Sequence, residues 1–281
     1  MCSSHNLIAS DKRGIVHDMA MEQAMAPAAR FFDDDRYLRT VVAEKPPAKS
    51  AAEAHGAARL AGCRAGALIL DAGCGNGRHA VPLARAGYRV VGLDSSGVLL
   101  AAARRAARDD PWPHFVGGSY TKLEFEDAVF DAVLCLGTSL GYLGDDGDLA
   151  ALREFRRVLV PGGRLVVETL HRGEIGARLR EHEERPLGYG GTLRVERRFD
   201  RARGVMREAQ RLEDGTGDAS PRTYELRVYG GDELRRMLEG AGFTVTGCYA
   251  SLDGEGEPSS TTPLVLVGEA AAPGCGSGLG Q

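Results

Sequence analysis

With 281 residues, 43% of them hydrophobic and 26% charged, the chain can bury a sizeable core and falls outside the disordered and fibrous classes. Its formal net charge of -4 argues against a sequence-independent nucleic-acid binder, which needs a dense basic surface to displace counterions. No stretch is apolar for long enough to span a bilayer, and the start Met1-Cys2-Ser3-Ser4-His5-Asn6 lacks a cationic region leading into an apolar one, so a cytoplasmic protein is expected.

The first 20 residues have mixed polarity and no apolar periodicity, and are expected to be flexible. Residues 21–62 predict a helical cap in two pieces, broken at Pro46-Pro47, because consecutive prolines remove donors and push Lys45 out of the α region. Ala67-Leu68-Ile69-Leu70 is a short apolar run ending in a glycine loop, as a strand buried on both faces reads. A helix over 76–86, stopped at Gly87, leads to the strand Arg89-Val90-Val91-Gly92-Leu93-Asp94 and an alanine-rich helix over 97–108. Strands at His114-Phe115-Val116, Phe130-Asp131-Ala132-Val133-Leu134-Cys135-Leu136 and Arg164-Leu165-Val166-Val167-Glu168 follow, with a helix over 149–159 before the last. This alternation predicts an α/β fold with a Rossmann-like, doubly wound sheet and right-handed crossovers.

After about Gly188 the pattern changes to apolar-polar alternation at 193–199, 205–212 and 223–229, which predicts an inserted antiparallel β meander forming a lid over 188–229. A helix over 232–239 and strands over 243–249 and 264–267 complete a core made of 63–187 and 230–269, before a flexible tail over 270–281. The six cysteines form no Cys-x-x-Cys pair and no cluster with histidines, so reduced thiols and no metal site are expected.

In Leu70-Asp71-Ala72-Gly73-Cys74-Gly75-Asn76-Gly77, three alternating glycines let the backbone turn tightly after a strand and approach a ligand. That geometry suits any nucleotide-like cofactor. Asp94 ends the next strand about twenty residues further on, where a carboxylate can accept both hydroxyls of a ribose. With these motifs, the segment Phe130-Asp131-Ala132-Val133-Leu134-Cys135-Leu136-Gly137-Thr138-Ser139-Leu140-Gly141-Tyr142, and Arg157-Val158-Leu159-Val160-Pro161-Gly162-Gly163-Arg164-Leu165-Val166-Val167, the chain resembles the class I S-adenosylmethionine-dependent methyltransferases over about residues 31–267.

The resemblance implies a seven-stranded sheet whose last strand is antiparallel, with S-adenosylmethionine as cofactor. It implies Asp71 and Gly73 near the methionine part, with Gly75 in the same loop, Asp94 on the ribose next to Ser95, and Leu136 beside the cofactor. Tyr37, in Phe31-Phe32-Asp33-Asp34-Asp35-Arg36-Tyr37-Leu38, matches a segment that closes over the cofactor in that family; packing of a cap helix is the equal alternative. Where the family commonly has Gly-Asp after strand three, this chain has Gly118-Ser119-Tyr120, of which Ser119 and Tyr120 are candidate cofactor-binding residues. Ser119 accepts a hydrogen bond from adenine more weakly than a carboxylate, or is a plain loop residue.

Methyl transfer from a sulfonium needs neither metal nor protein nucleophile, and a base only where the acceptor must lose a proton. His171, just beyond strand five, is the candidate base, against the reading of a solvent-facing histidine. Tyr142 falls where family members line the acceptor pocket, against the reading of a core aromatic, and Arg227 and Tyr229, which share a strand face by period-two spacing, are further candidates to point into that pocket. Seven arginines between Arg194 and Arg211 form either a solvated strand face or a site for an anionic acceptor.

The expected activity is methylation of an oxygen, nitrogen or carbon of a small molecule such as a secondary metabolite, chiefly by proximity and orientation. The chain lacks the Asn/Asp-Pro-Pro-Tyr/Phe signature of amino-methylating nucleic-acid enzymes, which leaves no nucleic-acid partner, and a homodimer is open. Two alternatives stand beside it. One is a protein that binds S-adenosylmethionine without methylating, or a cyclase. The other is an NAD-dependent oxidoreductase, for which the third glycine comes one position early, Arg78 standing where glycine is required.

Overall fold

The structure, a computed structural model, describes residues 27–42, 45–108, 110–188, 190–215, 221–259 and 262–271. The flexible segments expected over 1–20 and at the end of the chain lie outside these residues, except 270 and 271. The core is a seven-stranded sheet in the order β10-β11-β5-β4-β1-β2-β3, built from β1 (Leu68–Ala72), β2 (Arg89–Asp94), β3 (His114–Gly117), β4 (Phe130–Cys135), β5 (Leu159–Thr169), β10 (Phe243–Tyr249) and β11 (Leu264–Ala270). The pairs β1–β2, β1–β4, β2–β3 and β4–β5 are parallel, and β11 runs antiparallel to both of its neighbours. The mixed hairpin at one edge is thus as the family resemblance implies.

Alternation along β1 sends Leu68, Leu70 and Ala72 to one face and Ile69 to the other. The first face is covered by α6 (Gly144–Val158) and α8 (Gly231–Gly240), through Leu152, Phe155, Leu234 and Leu238. Each such fully buried side chain contributes about 2 kcal/mol of transfer free energy. The second face is covered by α3 (Pro47–Leu60) and α4 (Ala80–Arg85), where Ala54, Ala57 and Ala58 let α3 lie close to the sheet. The remaining helix, α5 (Gly97–Ala107), follows β2.

Several boundaries differ from expectation, each for a local reason. α4 starts at Ala80 rather than 76, because Gly75 (φ 54°) and Gly77 (φ 79°) sit in the left-handed region and keep 75–79 as turns. α6 starts earlier than 149, its first turn carrying Asp145 and Asp146, which suit a helix N-terminus although Gly-Asp-rich sequence reads as loop.

The second sheet has four strands, β6 (His182–Pro186), β7 (Thr192–Asp200), β8 (Val205–Glu213) and β9 (Arg222–Arg227), in that order and antiparallel throughout. β6 is absent from the sequence reading because His-Glu-Glu-Arg-Pro is an edge strand without an apolar residue. The insertion therefore begins before residue 188. Its inner face mixes Leu193, Val195, Met206 and Leu226 with three buried polar side chains, Glu208, Gln210 and Arg222. Between β5 and β6 lies the short helix α7 (Arg172–Arg178).

The N-terminal piece before the proline break is itself divided, into α1 (Pro27–Phe32) and α2 (Asp35–Tyr37), the latter running on as a π-helical turn, Leu38–Val42. The division falls at two aspartates. Asp34 accepts the Arg36 amide at 2.8 Å and caps α2. Asp33 instead reaches into the core, accepting the Val98 amide at 3.1 Å and the Ser96 hydroxyl at 3.0 Å at the start of α5. One carboxylate thus ties the cap to the helix that follows Asp94.

Candidate active site

The carboxyl ends of β1, β2 and β4 and the loop after β3 open into one cavity. It is lined by Gly73 to Asn76, Arg78 and His79 from the first loop, Asp94 and Ser95 from the second, Tyr120, and Leu136 to Ser139 with Tyr142. Leu99 of α5 and the cap residues Phe32, Tyr37 and Lys45 close it. Ligands bind at this edge in open parallel sheets.

Gly73 (φ 77°) turns the chain out of β1, and the Gly73 and Cys74 amides donate to the Leu93 carbonyl at 2.8 and 3.0 Å, which clamps the loop to β2. A Cβ on Gly73 would lie 2.6 Å from the Ser139 side chain, so the β4 loop presses directly on this residue. Asp94 accepts the Gly75 amide at 2.8 Å and the Ser96 amide at 2.9 Å. Burial pushes its carboxyl up and these amide bonds pull it back. A carboxylate has about four acceptor directions, so Asp94 can hold the loop and still receive hydroxyls.

Asp71 is fully buried beneath the loop, and its Oδ2 has no hydrogen-bond partner. Burial pushes its carboxyl up to about 7, against which Arg78 and the Ala80 amide pull it down. The folded state then holds a proton on Asp71 more tightly than the unfolded chain, so ionising it costs stability as pH rises from about 4 through about 7. Asp71→Asn is expected to raise the stability of the unliganded protein at pH 8, by about 4 kcal/mol at most, with the gain shrinking toward pH 5. Thermal denaturation of both proteins across that range checks this; a gain independent of pH would show that the ionisation of Asp71 is not its source.

Two cations, Lys45 and Arg78, also line the cavity. Glu53 of α3 forms an ion pair with Arg78 and accepts from His79 Nε2 at 3.3 Å. Glu53 is held at about 2 by the hydrogen bond from His79 and by Arg78, against its partial burial. Burial holds His79 at about 4, so at neutral pH its ring is neutral and donates to a carboxylate. Glu168, at the end of β5, accepts the Gly137 amide at 2.6 Å.

The roof is aromatic. Phe32 packs edge-on to Tyr37, to Tyr142 and to Phe31, each pair with ring centroids 5.0 to 5.1 Å apart, and Tyr224 of β9 stacks behind at 4.7 Å from Phe31 and 5.5 Å from Tyr142. Burial pushes the Tyr37 phenol up to about 12, so it stays protonated near neutrality. The lid reaches this roof through Arg222, whose guanidinium donates to the Phe31 carbonyl at 3.3 Å and lies 4.7 Å from the Phe31 ring centroid. A chain of polar groups backs it, Arg222 to Gln210 at 3.3 Å, Gln210 to Glu208 at 2.7 Å and Arg197 to Glu208 at 2.6 Å.

Of the expected site residues, Tyr37, Gly73, Gly75, Asp94, Ser95, Tyr120, Leu136 and Tyr142 line the cavity, with Asp71 directly behind the loop. Four do not. Ser119 is exposed, its hydroxyl 2.8 Å from that of Thr121. His171 caps the start of α7 with its Nδ1 2.9 Å from the Ser259 carbonyl. Arg227 is held by Asp145 at 2.8 Å and by Glu233, and its guanidinium stacks on Tyr229. Tyr229 is fully buried, donating to Asp148 at 2.7 Å, and β9 ends before it, so the two do not share a strand face.

Of the seven arginines, Arg194, near Glu184 and Glu213, and Arg207, paired with Glu225, lie on a solvated face, whereas Arg197 turns inward to Glu208. The sequence reading missed Arg78 and Lys45; Arg78 was visible as the residue after the glycine loop, but its direction depends on Glu53, far away in the chain. Among the described residues no group of three His, Cys, Asp or Glu side chains comes together to hold a metal ion, and no helix is long and apolar enough to cross a membrane.

Residues 69–163 match the family model of the methyltransferase domain. Over 110 residues the chain is 37% identical to the demethylmenaquinone methyltransferase of Streptomyces avermitilis, covering 39% of this chain and 45% of that protein, so the match spans less than half of such curated relatives. The likeness to solved structures is longer. The CcbJ methyltransferase from Streptomyces caelestis superposes with a TM-score of 0.73 and 26% identity over 86% of this chain and 98% of that one. Over residues 69–163, and in its fold, the chain is similar to the class I S-adenosylmethionine-dependent methyltransferases. The S-adenosylmethionine-bound amino pentose methyltransferase CalS10 from Micromonospora echinaspora shares the fold, with a TM-score of 0.59 and 22% identity over 91% of this chain and 99% of that one.

The family cofactor is S-adenosylmethionine, and the residues present suit it. A free acceptor on buried Asp71 lies beneath the glycine loop, and the cavity is lined by the Asp94 carboxylate and by two cations. Asp94 would suit a dinucleotide ribose as well; what disfavours the NAD reading is Asp71, a buried carboxyl beneath the loop to which a pyrophosphate would be brought.

Proposed function

We propose that this chain transfers the methyl group of S-adenosylmethionine to an oxygen, nitrogen or carbon of a small molecule. One observation carries the reading: the cavity at the sheet's carboxyl edge is continuous from Asp94 to an aromatic wall of Phe32, Tyr37 and Tyr142, supplied by cap and core and backed by the lid. When bound, the cofactor supplies an electrophilic methyl group on a sulfonium. Asp94, next to Ser95, would hold the ribose, Tyr120 and Leu99 would flank the adenine, and Asp71 with Gly73 and Gly75 would hold the methionine part. Lys45 and Arg78 would receive its carboxylate.

The residues near the reacting end are aromatic rings and backbone, and they act by orienting the acceptor and excluding water. His171 lies outside this wall, so we assign no general base; an acceptor that is neutral and nucleophilic before transfer requires none. We take the cap as ending at 62, the core as 63–181 with 230–269, and the lid as 182–229. We also place the enzyme in the cytoplasm, a reading supported by free thiols at Cys63, Cys74, Cys135 and Cys248, and expect no nucleic-acid partner. Whether it forms a homodimer is a matter for sedimentation.

Two measurements test this. S-adenosylhomocysteine is expected to raise the melting temperature and NAD to leave it unchanged. Incubation with S-adenosylmethionine labelled in its methyl group and fractionated metabolites is then expected to label a small molecule; binding without any labelled product would favour a protein that uses the cofactor without methyl transfer.

A further inference from the structure

Asp148 is a fully buried carboxylate on the first turns of α6, outside the cavity, and three elements converge on it. Its Oδ1 accepts the Gly141 amide at 3.2 Å, one residue ahead of Tyr142. Its Oδ2 accepts the Tyr229 hydroxyl at 2.7 Å, just beyond the last lid strand. The lid touches the same loop again, because the Arg227 amide donates to the Gly141 carbonyl at 2.8 Å. Gly141 sits at φ 114°, and a Cβ there would lie 2.4 Å from the Arg227 carbonyl oxygen, so no side chain fits between loop and lid. Held through Gly141 by both Asp148 and Arg227, the chain just ahead of Tyr142 sets where its ring meets Phe32 and the cavity.

We infer that Asp148 is a positioning residue for the cofactor site: by gripping the Gly141 amide just ahead of Tyr142 and the hydroxyl of Tyr229, it makes the aim of the Tyr142 ring depend on the seat of the lid. This rests on the methyltransferase reading of the cavity and concerns a residue that touches no ligand. A core carboxylate that served stability alone would be replaceable without consequence for the cavity, provided the fold survived. Here the loop it grips forms part of the cavity wall, and the other group it grips leads out of the lid.

The test is a double-mutant cycle read by the affinity for S-adenosylhomocysteine. Asp148→Ala and Tyr142→Ala are each expected to weaken binding about fivefold, and the double variant to be no weaker than either single one, because the second change removes what the first had already released. Asp148→Asn, which keeps an acceptor for the Gly141 amide, is expected to bind within about twofold of the wild type. Leu152→Ala, a core change on the same helix, gives the loss that lowered stability alone produces, and is expected to leave affinity within about twofold. Independent losses that multiply in the double variant, or an equal loss in Leu152→Ala, would overturn the inference.

Hydrogen exchange of the wild-type protein supplies a check should Asp148→Ala not fold. Saturation with S-adenosylhomocysteine is expected to slow exchange at Gly141 and Leu143 and also at residues 227–230, and no change at 227–230 would overturn the coupling to the lid. Failure of the wild-type protein to bind S-adenosylhomocysteine would instead refute the cofactor reading and is distinguishable from both.

Discussion

Replacing Asp94 by alanine is expected to weaken S-adenosylhomocysteine binding by about 100-fold or more, measured by calorimetry. The size follows from two hydroxyls of a ribose meeting one buried carboxylate, each hydrogen bond to a charged group contributing about 1.5 to 3 kcal/mol, and about 1.4 kcal/mol corresponding to a tenfold change in affinity. Asp94 also holds the Gly75 and Ser96 amides, so the alanine variant loosens the glycine loop as well. Asp94→Asn separates the two roles. Its amide oxygen can keep one backbone bond but its nitrogen can only donate, so an intermediate loss is expected, with the fold retained. Binding by the alanine variant within about threefold of wild type would remove Asp94 from the ribose.

Asp94 was readable from the sequence because its role is local: a strand ends, a carboxylate follows, and a glycine loop lies one βα unit earlier. The same holds for most of the parallel core, where Leu68-Ile69-Leu70 and Val90-Val91 announce strands buried on both sides. The meander was legible in β7, β8 and β9, whose inward positions alternate, but not in β6, whose five residues carry no apolar signal. Site residues failed where the answer depended on a partner far along the chain. Period-two spacing put Arg227 and Tyr229 on one face, yet the exposed Asp145 and the partly buried Glu233 hold Arg227, while buried Asp148 takes the hydroxyl of Tyr229. His171 was correctly placed just after β5, but the neighbouring Ser259 carbonyl, not the cavity, takes its ring nitrogen. In both cases a side chain's position in the element order was right and its direction was decided by another segment.

The cap shows the converse, in which a short acidic run has two tertiary roles. Asp33 fixes α1 to the start of α5, and Asp34 caps α2 and lies 3.8 Å from Arg222 of the lid. Cap and lid are therefore fastened to each other and, through Asp33, to the element that follows Asp94. The aromatic wall sits between those fastenings, which is why Phe32 and Tyr37 face the cavity although their segment lies outside the parallel core.

Arg78 gives the second large effect, and it discriminates between two parts of one ligand. Arg78→Met is expected to weaken S-adenosylhomocysteine by about 10- to 100-fold while leaving 5′-methylthioadenosine within about twofold, since only the former carries the amino-acid end with its carboxylate. One or two charge-assisted hydrogen bonds account for that range. The geometry that prepares the guanidinium is its ion pair with Glu53, ionised at any pH above about 2 and braced by His79. Glu53→Gln leaves an oxygen to accept from Arg78 but removes the charge, so a smaller loss of about threefold is expected, confined to the same ligand. If Arg78→Met weakens both ligands equally, the arginine supports the loop as a whole and the carboxylate must be held elsewhere. If it weakens neither, Lys45 alone carries that charge, and Lys45→Met should then show the selective loss.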